Sequence, residues 1–338
     1  MGERFAFAHP CFILINYYFL GKMIRKFFIF NVCILFLHFG FLQAMPAAIL
    51  RKLVEANRSF EMNDLTVRSQ PVKKETDLQS DYEFCCATMQ GYRDYQEDTF
   101  DFAHDSELGI DFFAVFDGHG KGGDLISGFL RDNYFSTFKR MSQGKELDQV
   151  LFTNVLADIE QGLDIRLLGR YSGSTAVTAF IFNEDGGRRV LKVANTGDSR
   201  AILVQKKGFK ILSEDHSPDL EREKERVLSA GGIIRDVDGV QRVGGCLAMT
   251  RSVGDFDIGG IISRPDIVTY ELTDDDLYLV LASDGLWDVI KNEGVAGFVN
   301  EKQKLGWSAE KIARFLVKQA FERGSKDNIT VIVVKLAE

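Results

Sequence analysis

A short apolar run at residues 112–116, which ends in Asp-Gly-His-Gly, constrains the fold more than any other feature of the sequence. The run is aromatic and β-branched, which is typical of a buried strand. Asp117 would then lie at the rim of a core, and Gly118 would bring its backbone carbonyl close to whatever the carboxylate holds. His119 adds a group that can give or take a proton near neutral pH. An isolated Asp-Gly pair usually marks only a turn, so partners elsewhere in the chain have to decide whether a site forms here.

Short apolar runs broken by turns continue from residue 82 to the C-terminus. The pattern predicts strands at 82–89, 112–116, 174–182, 189–194, 201–204, 268–271, 277–282 and 328–334, and helices at 125–140, 147–168, 220–230, 295–303 and 309–322. Strands outnumber helices, and many connections are too short for the crossovers that parallel strands need. The pattern therefore favours antiparallel sheets with helices packed outside them.

The charge of the chain is unevenly distributed. Residues 1–60 carry seven Lys or Arg and two Glu, whereas the whole chain has a formal net charge of −8. The acidic main domain lacks the basic surface that a phosphate backbone requires, so no nucleic-acid partner is expected. The five cysteines form neither a Cys-x-x-Cys motif nor a Cys/His cluster, which argues against zinc. Few cysteines for this length indicate a reducing compartment for the main domain.

Residues 1–50 form a hydrophobic leader. The segments 5–21 and 27–50 contain no Asp, Glu, Lys or Arg, and a basic cluster at 22–26 separates them. About 20 apolar residues suffice to span a bilayer. A membrane anchor is therefore the favoured interpretation, with N-terminal membrane contact and a cytosolic main domain.

Two other interpretations of the leader stay open. Translation from Met23 would give a short basic start and an apolar core that ends near Ala44, which is typical of a cleavable secretory signal. The basic residues and sparse acids also allow a mitochondrial address. The mixed, polar segment at 51–80 is predicted to be a linker to the main domain at 81–338.

Acidic side chains recur in turns next to the apolar strands. They are Glu97, Asp98, Asp117, Asp198, Asp284, Asp288 and Asp327. If these turns converge, several negative charges share one place, which costs heavily unless cations occupy it. Oxygen ligands with room for water suit magnesium or manganese, and two such ions can activate a water and hold a phosphoryl group. Spacing alone does not show that the turns meet.

Several motifs occur together in one order. They are Gly-Tyr-Arg at 91–93, Gln-Glu-Asp at 96–98, Asp-Gly-His-Gly at 117–120, and the segments 172–176, 195–201, 215–218, 242–255, 283–288 and 327–330. In this order, over roughly 250 residues, the chain resembles the metal-dependent serine/threonine protein phosphatases of the PPM (type 2C) family. The resemblance implies an α+β fold, a four-layer α/β/β/α sandwich in which two central antiparallel sheets are flanked by helices.

The resemblance also implies a metal centre between the sheets at one edge. Asp117 would bridge two Mg²⁺ or Mn²⁺ ions. Glu97 and the carbonyl of Gly118 would bind one ion, and Asp284 and Asp327 would bind the other. The reaction implied is hydrolysis of phosphoserine and phosphothreonine in phosphoprotein substrates, by a water activated between the two ions.

Further residues take roles around the metals by the same resemblance. Asp98 would orient the metal-bound water, and Asp198 and Asp288, with Asp284, would line a weaker third site. Arg93 would bind the substrate phosphate, for which its fork geometry is suited, and His119 would protonate the leaving Ser or Thr oxygen. The segment from about 218 to 242 would form a flap beside the cleft of a monomeric catalytic domain.

The alternative is a pseudophosphatase, a scaffold that binds partners without catalysis. That interpretation requires missing ligands, and all of the expected acids are present. The sequence departs from the family at Lys121, where a second glycine usually follows Asp-Gly-His-Gly, and at Gln96, where Met is common. The expected ligands precede Lys121, so the metals should survive the change.

Four other polar residues are expected to have ordinary structural positions. His104 and His216 are expected in turns or on the surface, and Arg200 and Arg251 are expected to tie acidic turns together.

Overall fold

The computed structural model of the protein describes residues 68–70, 82–163, 172–184 and 186–337. The leader at 1–50, and with it the anchor, signal and mitochondrial interpretations, lies outside the described residues. Among the helices that are described, none is both long and apolar enough to cross a bilayer.

Most of the described elements are strands, and helices interrupt them at three places along the chain. The strands are β1 (Arg68–Gln70), β2 (Glu83–Met89), β3 (Asp98–Asp105), β4 (Ile110–His119), β5 (Gly173–Ser174), β6 (Ala176–Glu184), β7 (Arg188–Thr196), β8 (Arg200–Gln205), β9 (Phe209–Ile211), β10 (Ile234–Val237), β11 (Val240–Val243), β12 (Val253–Gly254), β13 (Asp266–Glu271), β14 (Asp276–Ala282) and β15 (Ile329–Lys335). The helices are α1 (Gly123–Ser142), α2 (Gln149–Gly162), α3 (Glu221–Ser229), α4 (Asp284–Trp287), α5 (Asn292–Lys304) and α6 (Ala309–Glu322).

Two antiparallel sheets form the centre of the fold. The first has the order β1-β2-β15-β14-β8-β9, and the second has the order β12-β5-β4-β6-β7-β13, with β3 added beside β4. Helices α5 and α6 cover the outer face of the first sheet, and α1 and α2 cover that of the second. The predicted α+β sandwich of helix, sheet, sheet and helix layers is confirmed.

Strand β4 shows why the central apolar run is continuous rather than alternating. Phe113 and Val115 point between the two sheets, where they pack in the shared core. Phe112, Ala114 and Phe116 point the other way, into the core beneath α1 and α2. Because both faces of the sheet are covered, both sets of side chains must be apolar, although successive side chains point to opposite faces.

An aromatic cluster fixes α1 and α2 against the second sheet. Phe180 on β6 is fully buried, and its ring centroid lies 5.0 Å from Phe112, 4.4 Å from Phe138 and 5.2 Å from Phe152. The cluster therefore joins two strands and two helices that are distant in sequence. Its tilted rings match the arrangements that aromatic pairs prefer.

Several short or polar strands are absent from the prediction. Strand β3 reads Asp-Thr-Phe-Asp-Phe-Ala-His-Asp, and most of its residues are only half-buried. It forms because it pairs with β4 along its whole length, from Asp98 opposite Asp117 to Asp105 opposite Ile110. Strand β1 lies within the segment 51–80, which the sequence predicts to be a linker. It pairs with β2 and is the edge strand of the first sheet.

We predict that Phe180→Ala lowers the free energy of unfolding by about 3–5 kcal/mol, because it leaves a cavity at the centre of the aromatic cluster. Phe256→Ala is the matched control, since Phe256 is half exposed and its truncation should change the stability by no more than about 0.5 kcal/mol. Urea unfolding measures both variants. Equal losses would contradict the assignment of Phe180 to a close-packed core.

Candidate functional site

Two of the predicted acids face each other across a pair of strands. Asp98 is the first residue of β3, and it lies directly opposite Asp117 near the end of β4. The backbone N–H of Gly118 donates to the carbonyl of Glu97 over 3.2 Å, which joins the two segments again at the next residue. Asp98 is buried, and Asp117 is half-buried. The pairing of β3 with β4 and this hydrogen bond thus fix the spacing of four predicted site residues.

Three more predicted acids lie at one edge of the first sheet. Asp198 precedes β8, Asp284 follows β14, and Asp327 precedes β15. These strands are antiparallel neighbours, and Ala282 pairs with both Arg200 and Val331. The beginning of β8, the end of β14 and the beginning of β15 therefore share one edge, which explains why acids far apart in sequence meet.

Mutual repulsion shows that acids from both sheets approach one another. Burial, and then repulsion from neighbouring carboxylates, raises the pKa of Asp117 well above its usual range. The neighbours are Asp98, Asp284, Asp198 and Asp327. The same two causes raise the pKa of Asp284, where the repelling groups include Asp288. The predicted cluster is therefore brought together, with the exposed Asp288 at its margin.

The surroundings of each acid in this cluster set its pKa. Burial raises the pKa of Asp98 to about 6, even though Ser283 Oγ donates a hydrogen bond of 2.8 Å to its Oδ2. Burial and repulsion from Asp215 raise the pKa of Asp198 to about 7. Partial burial and repulsion from Asp124 raise the pKa of Glu97. Each shift reflects the cost of placing a carboxylate charge near others with little water.

The donor set fits divalent metal ions. Oδ1 atoms of Asp98, Asp198 and Asp284 are buried and accept no hydrogen bond within the described part of the protein. Such oxygens are costly unless a cation or donor reaches them, and a site of oxygen ligands suits magnesium or manganese. Over the described ranges, no three His, Cys, Asp or Glu side chains already form a closed metal-binding cluster. The fit therefore rests on the type of donor and on the three unpaired oxygens.

Glycines allow the site segments to pack backbone against backbone. A Cβ on Gly118 would lie 2.4 Å from the carbonyl oxygen of Gly123, and one on Gly285 would lie 2.0 Å from that of Asn328. A Cβ on Gly91 would lie 2.3 Å from the carbonyl oxygen of Asp327. Real Cβ atoms do not approach so closely, so a side chain here would push the acidic turns apart.

Lys121 occupies an exposed turn outside the acidic cluster. The next residue, Gly122, has a φ of 106°, and α1 begins at Gly123, which is buried against Gly118 and Glu97. The turn therefore accommodates the unusual lysine without moving the glycine that contacts the site. The side chain of Lys121 points to solvent, and its carbonyl accepts a hydrogen bond from Ser172 Oγ.

Arg93 lies at the rim of the cluster. Its side chain is 52% exposed, and Nη2 lies 2.5 Å from Oδ2 of Asp327. Gln90 fixes the turn, since its side-chain amide donates to the carbonyl of Arg93 over 2.8 Å. The guanidinium thus has a second face open to solvent while one nitrogen is held at the acids.

His119 has a partner that the sequence reasoning missed. Its Nε2 lies 2.6 Å from Oδ2 of Asp255, and the carboxylate side chain is fully buried. Asp255 is the last residue of the motif at 242–255, but nothing in the spacing of that motif indicates contact with a residue 136 positions earlier. The pairing of β4, β5 and β12 brings them together.

The expectation that His216 is a turn or surface residue is wrong. His216 is fully buried. Its Nδ1 accepts a hydrogen bond of 3.0 Å from the backbone N–H of Gly197, next to Asp198. Its Nε2 lies 3.3 Å from Asp266. His104 is half-buried, with Nδ1 3.0 Å from Asp111.

The two arginines do tie acidic segments together, as expected. Arg200 donates to both carboxylate oxygens of Asp215. Arg251 donates to Glu223 on α3 and to Asp266, so it joins the predicted flap to the second sheet. Burial alone would raise the pKa of Glu223, but hydrogen bonds from Arg251, Arg226 and Thr250 lower it to about 2.

Comparison with known proteins agrees with this geometry. The model of a family described as Protein phosphatase 2C matches residues 82–329. The chain belongs to the protein phosphatase 2C family. It is a metal-dependent protein serine/threonine phosphatase.

Similar proteins occur in animals, plants and protists. The chain is 33% identical to Protein phosphatase 1L of Bos taurus over 303 residues, which cover 84% of this phosphatase and 80% of the bovine protein. It is 36% identical to Probable protein phosphatase 2C 69 of Arabidopsis thaliana over 263 residues, which cover 75% and 69%. A crystal structure of a phosphatase from Toxoplasma gondii superposes with a TM-score of 0.67 at 24% identity, covering 76% of this chain and 93% of that one, and supports the fold.

The clustered acids predict how stability without metal depends on pH. The pKa values of Asp98 and Asp198 are raised in the folded protein to about 6 and about 7. The folded state therefore retains protons that the unfolded chain has released, and stability falls as the pH rises from about 4 to about 7. In a chelator, the Tm should fall over this range, and Mn²⁺ should raise it most at the upper end.

Asp117→Asn removes the carboxylate whose pKa is raised by burial and by four neighbouring carboxylates. In chelator at about pH 7.5, this variant should melt at a higher temperature than the unmodified protein and should respond less to Mn²⁺. Asp276→Asn is the control variant, because Asp276 is a fully buried acid that begins β14 at the opposite end from Asp284. Differential scanning calorimetry measures the three proteins. A Tm that is independent of pH in chelator would contradict the repulsion.

Proposed function

We propose that this phosphatase hydrolyses phosphoserine and phosphothreonine in proteins by direct transfer of the phosphoryl group to water, at the acidic edge between the sheets. The observation that carries the proposal is the convergence of Asp117, Asp284 and Asp98, with unpaired buried oxygens, beside Arg93 and His119. No phosphoenzyme is required, because water is the nucleophile.

The oxygen ligands divide into groups as the family resemblance implies. Glu97 and the carbonyl of Gly118 would hold one ion, and Asp284 and Asp327 would hold the second. Asp117 would be a ligand of both ions. Asp198 and Asp288, with Asp284, would hold a weaker third ion. When bound, Mg²⁺ or Mn²⁺ would neutralise charge on the phosphoryl group and lower the pKa of bound water.

Arg93 would bind the phosphate of the substrate. Its guanidinium is half exposed and held at the rim of the cluster by Asp327. A planar fork can donate to two phosphate oxygens at once, which a lysine ammonium cannot do in the same geometry. The contact with Asp327 aims the free nitrogens before substrate arrives, which reduces the entropy lost on binding.

Asp98 and His119 would move the protons. Asp98 is buried, Ser283 holds its Oδ2, and its Oδ1 is unpaired, so this oxygen can accept a proton from the attacking water. His119 would give a proton to the serine or threonine oxygen as it leaves. An alkoxide is a poor leaving group, so general acid catalysis matters for these substrates.

The proposal predicts metal-dependent activity on a phosphothreonine peptide. Mn²⁺ or Mg²⁺ should support phosphate release, EDTA should abolish it, and Asp117→Asn should lower kcat/KM by at least about 100-fold. Asp276→Asn should stay within about twofold of the unmodified enzyme.

Activity that survives chelation, or that persists in Asp117→Asn, would overturn the proposed site. If the folded protein binds Mn²⁺ but releases no phosphate from any phosphopeptide, the pseudophosphatase alternative holds instead.

We also propose that the apolar leader anchors the phosphatase in a membrane with the catalytic domain in the cytosol. The support is the sequence of residues 27–50, which is long enough to span a bilayer and free of charged residues. A C-terminal tag should be digested when protease is added to intact membrane vesicles and should sediment with the membrane fraction. A protected, shortened product cleaved near Ala44 would contradict the anchor and indicate a secretory signal.

A further inference from the structure

His119 and Asp255 form a short polar contact at the site. The carboxylate of Asp255 is fully buried, and its Oδ2 lies 2.6 Å from Nε2 of a histidine whose side chain is 20% exposed. A short contact between a buried carboxylate and an imidazole favours an N–H on the nitrogen that faces the acid.

Three strands bring the pair together. His119 is opposite Gly173 in the pairing of β4 with β5, and Gly173 is opposite Gly254 in the pairing of β5 with β12. Asp255 follows directly and reaches back across the middle strand. A Cβ on Gly173 would lie 2.1 Å from Oδ2 of Asp255 and 2.6 Å from Nε2 of His119. Only glycine at this position leaves space for the contact.

Hydrogen bonds hold both the backbone and the side chain of Asp255 in place, and all those to the carboxylate reach Oδ2, since Oδ1 has no hydrogen-bond partner among the described residues. The backbone N–H of Asp255 donates to the carbonyl of Ser172 over 2.8 Å, and Ser252 Oγ donates to Oδ2 over 2.5 Å. Asp255 has a φ of 49°, in the left-handed region that few residues other than glycine adopt. A strained residue that is fixed by several contacts is a feature often found at functional sites.

The contact determines which nitrogen of His119 remains available. Nε2 faces Asp255, whereas Nδ1 is buried and has no hydrogen-bond partner among the described residues. The imidazole also lies within electrostatic reach of Asp198 and Glu97, so the ring belongs to the acidic site and not to a remote part of the core.

We propose that Asp255 is the positioning residue for the general acid, and that it orients His119 so that Nδ1 delivers the proton to the leaving oxygen. The inference rests on the proposed function and deepens it. Asp255 does not touch the substrate. It fixes the orientation of the ring and keeps a proton on Nε2, so that Nδ1 is the nitrogen that faces the leaving oxygen.

The proton balance of the step is complete. The oxygen of water forms the new bond to phosphorus, and the bond from phosphorus to the serine or threonine oxygen breaks with its electron pair on that oxygen. That oxygen takes the proton from Nδ1 of His119. The proton lost by the attacking water passes to Asp98. Asp98 then releases it to solvent, and His119 takes up one proton from solvent, so both groups return to their starting states. The products are the free hydroxyl side chain and inorganic phosphate.

A purely structural role for Asp255 predicts a different outcome from a positioning role. A structural link would affect all substrates equally when it is weakened. A positioning role affects only substrates whose leaving group needs a proton. Phosphothreonine releases an alkoxide and needs one, whereas p-nitrophenyl phosphate releases a stable phenolate and does not.

The experiment compares these two substrates in the Mn²⁺-loaded, full-length enzyme. Asp255→Asn is the main variant, because Asn also tolerates a left-handed backbone. We expect kcat/KM for a phosphothreonine peptide to fall by about 10- to 100-fold and that for p-nitrophenyl phosphate to fall by less than about threefold. His119→Gln should show the same selectivity, and the double variant should be no worse than His119→Gln alone.

Two further variants serve as a control away from the site and as a milder change at Asp255. Asp276→Asn, at a buried acid away from the site, should leave the ratio of the two substrates unchanged. Ser252→Ala keeps the carboxylate but removes one hydrogen bond to it, so it should shift the ratio in the same direction by a smaller factor. This variant decides the question if Asp255→Asn does not fold.

Equal losses on both substrates in Asp255→Asn and in Ser252→Ala, or additive losses in the double variant, would overturn the positioning role and leave Asp255 as a structural link. Failure of the proposed function is separate, because the unmodified enzyme would then hydrolyse neither substrate with Mn²⁺. An NMR measurement of the His119 side chain gives a second readout. In the neutral form of the ring, which is left after proton transfer, the Nε2–H tautomer should predominate in the unmodified protein, and its share should fall in Asp255→Asn.

Discussion

The pairing of β3 with β4 is the interaction on which the site depends, because it places Asp98 opposite Asp117. The buried carboxylate of Asp98 and the half-buried carboxylate of Asp117 repel each other, so other interactions must hold them together. The ladder continues for seven further residue pairs, as far as Asp105 opposite Ile110, and β4 packs in apolar cores on both faces. The core thus supplies the free energy that keeps unfavourable charges together, a common relation between stability and function.

The other sheet contributes its acids through the same logic. Asp284 and Asp327 stand beside strands that pair along a common edge, and glycines allow the turns to touch through their backbones. The geometry is therefore built from ladders and close backbone contacts rather than from flexible side chains. Sites held by rigid elements keep their ligands in register better than sites on loops.

The sequence allowed the site to be predicted better than its surroundings. The apolar run of β4 and the acids next to strands are visible as local patterns, and their meeting could be inferred only from the order of family motifs. Strand β3 was not predictable from its composition, since its polar residues become strand by pairing with β4. Asp255 and His216 were missed because their contacts, with His119 and Gly197, join segments distant in sequence. A local pattern carries no information about such partners, and a polar residue in a turn gives no sign that the fold will bury it.

Arg93 and Arg200 lie where they leave the central carboxylates free to bind metal ions. Arg93 binds Asp327 at the rim, and Arg200 binds Asp215 on the outer side of Asp198. Neither guanidinium pairs with Asp117, whose pKa is raised by four surrounding carboxylates. An arginine at the centre would have relieved the repulsion permanently and would have stabilised the protein without metal. Because these two guanidinium groups stay at the margin, the central acids are left to be stabilised by metal ions that bind there and by the protons that compete with those ions.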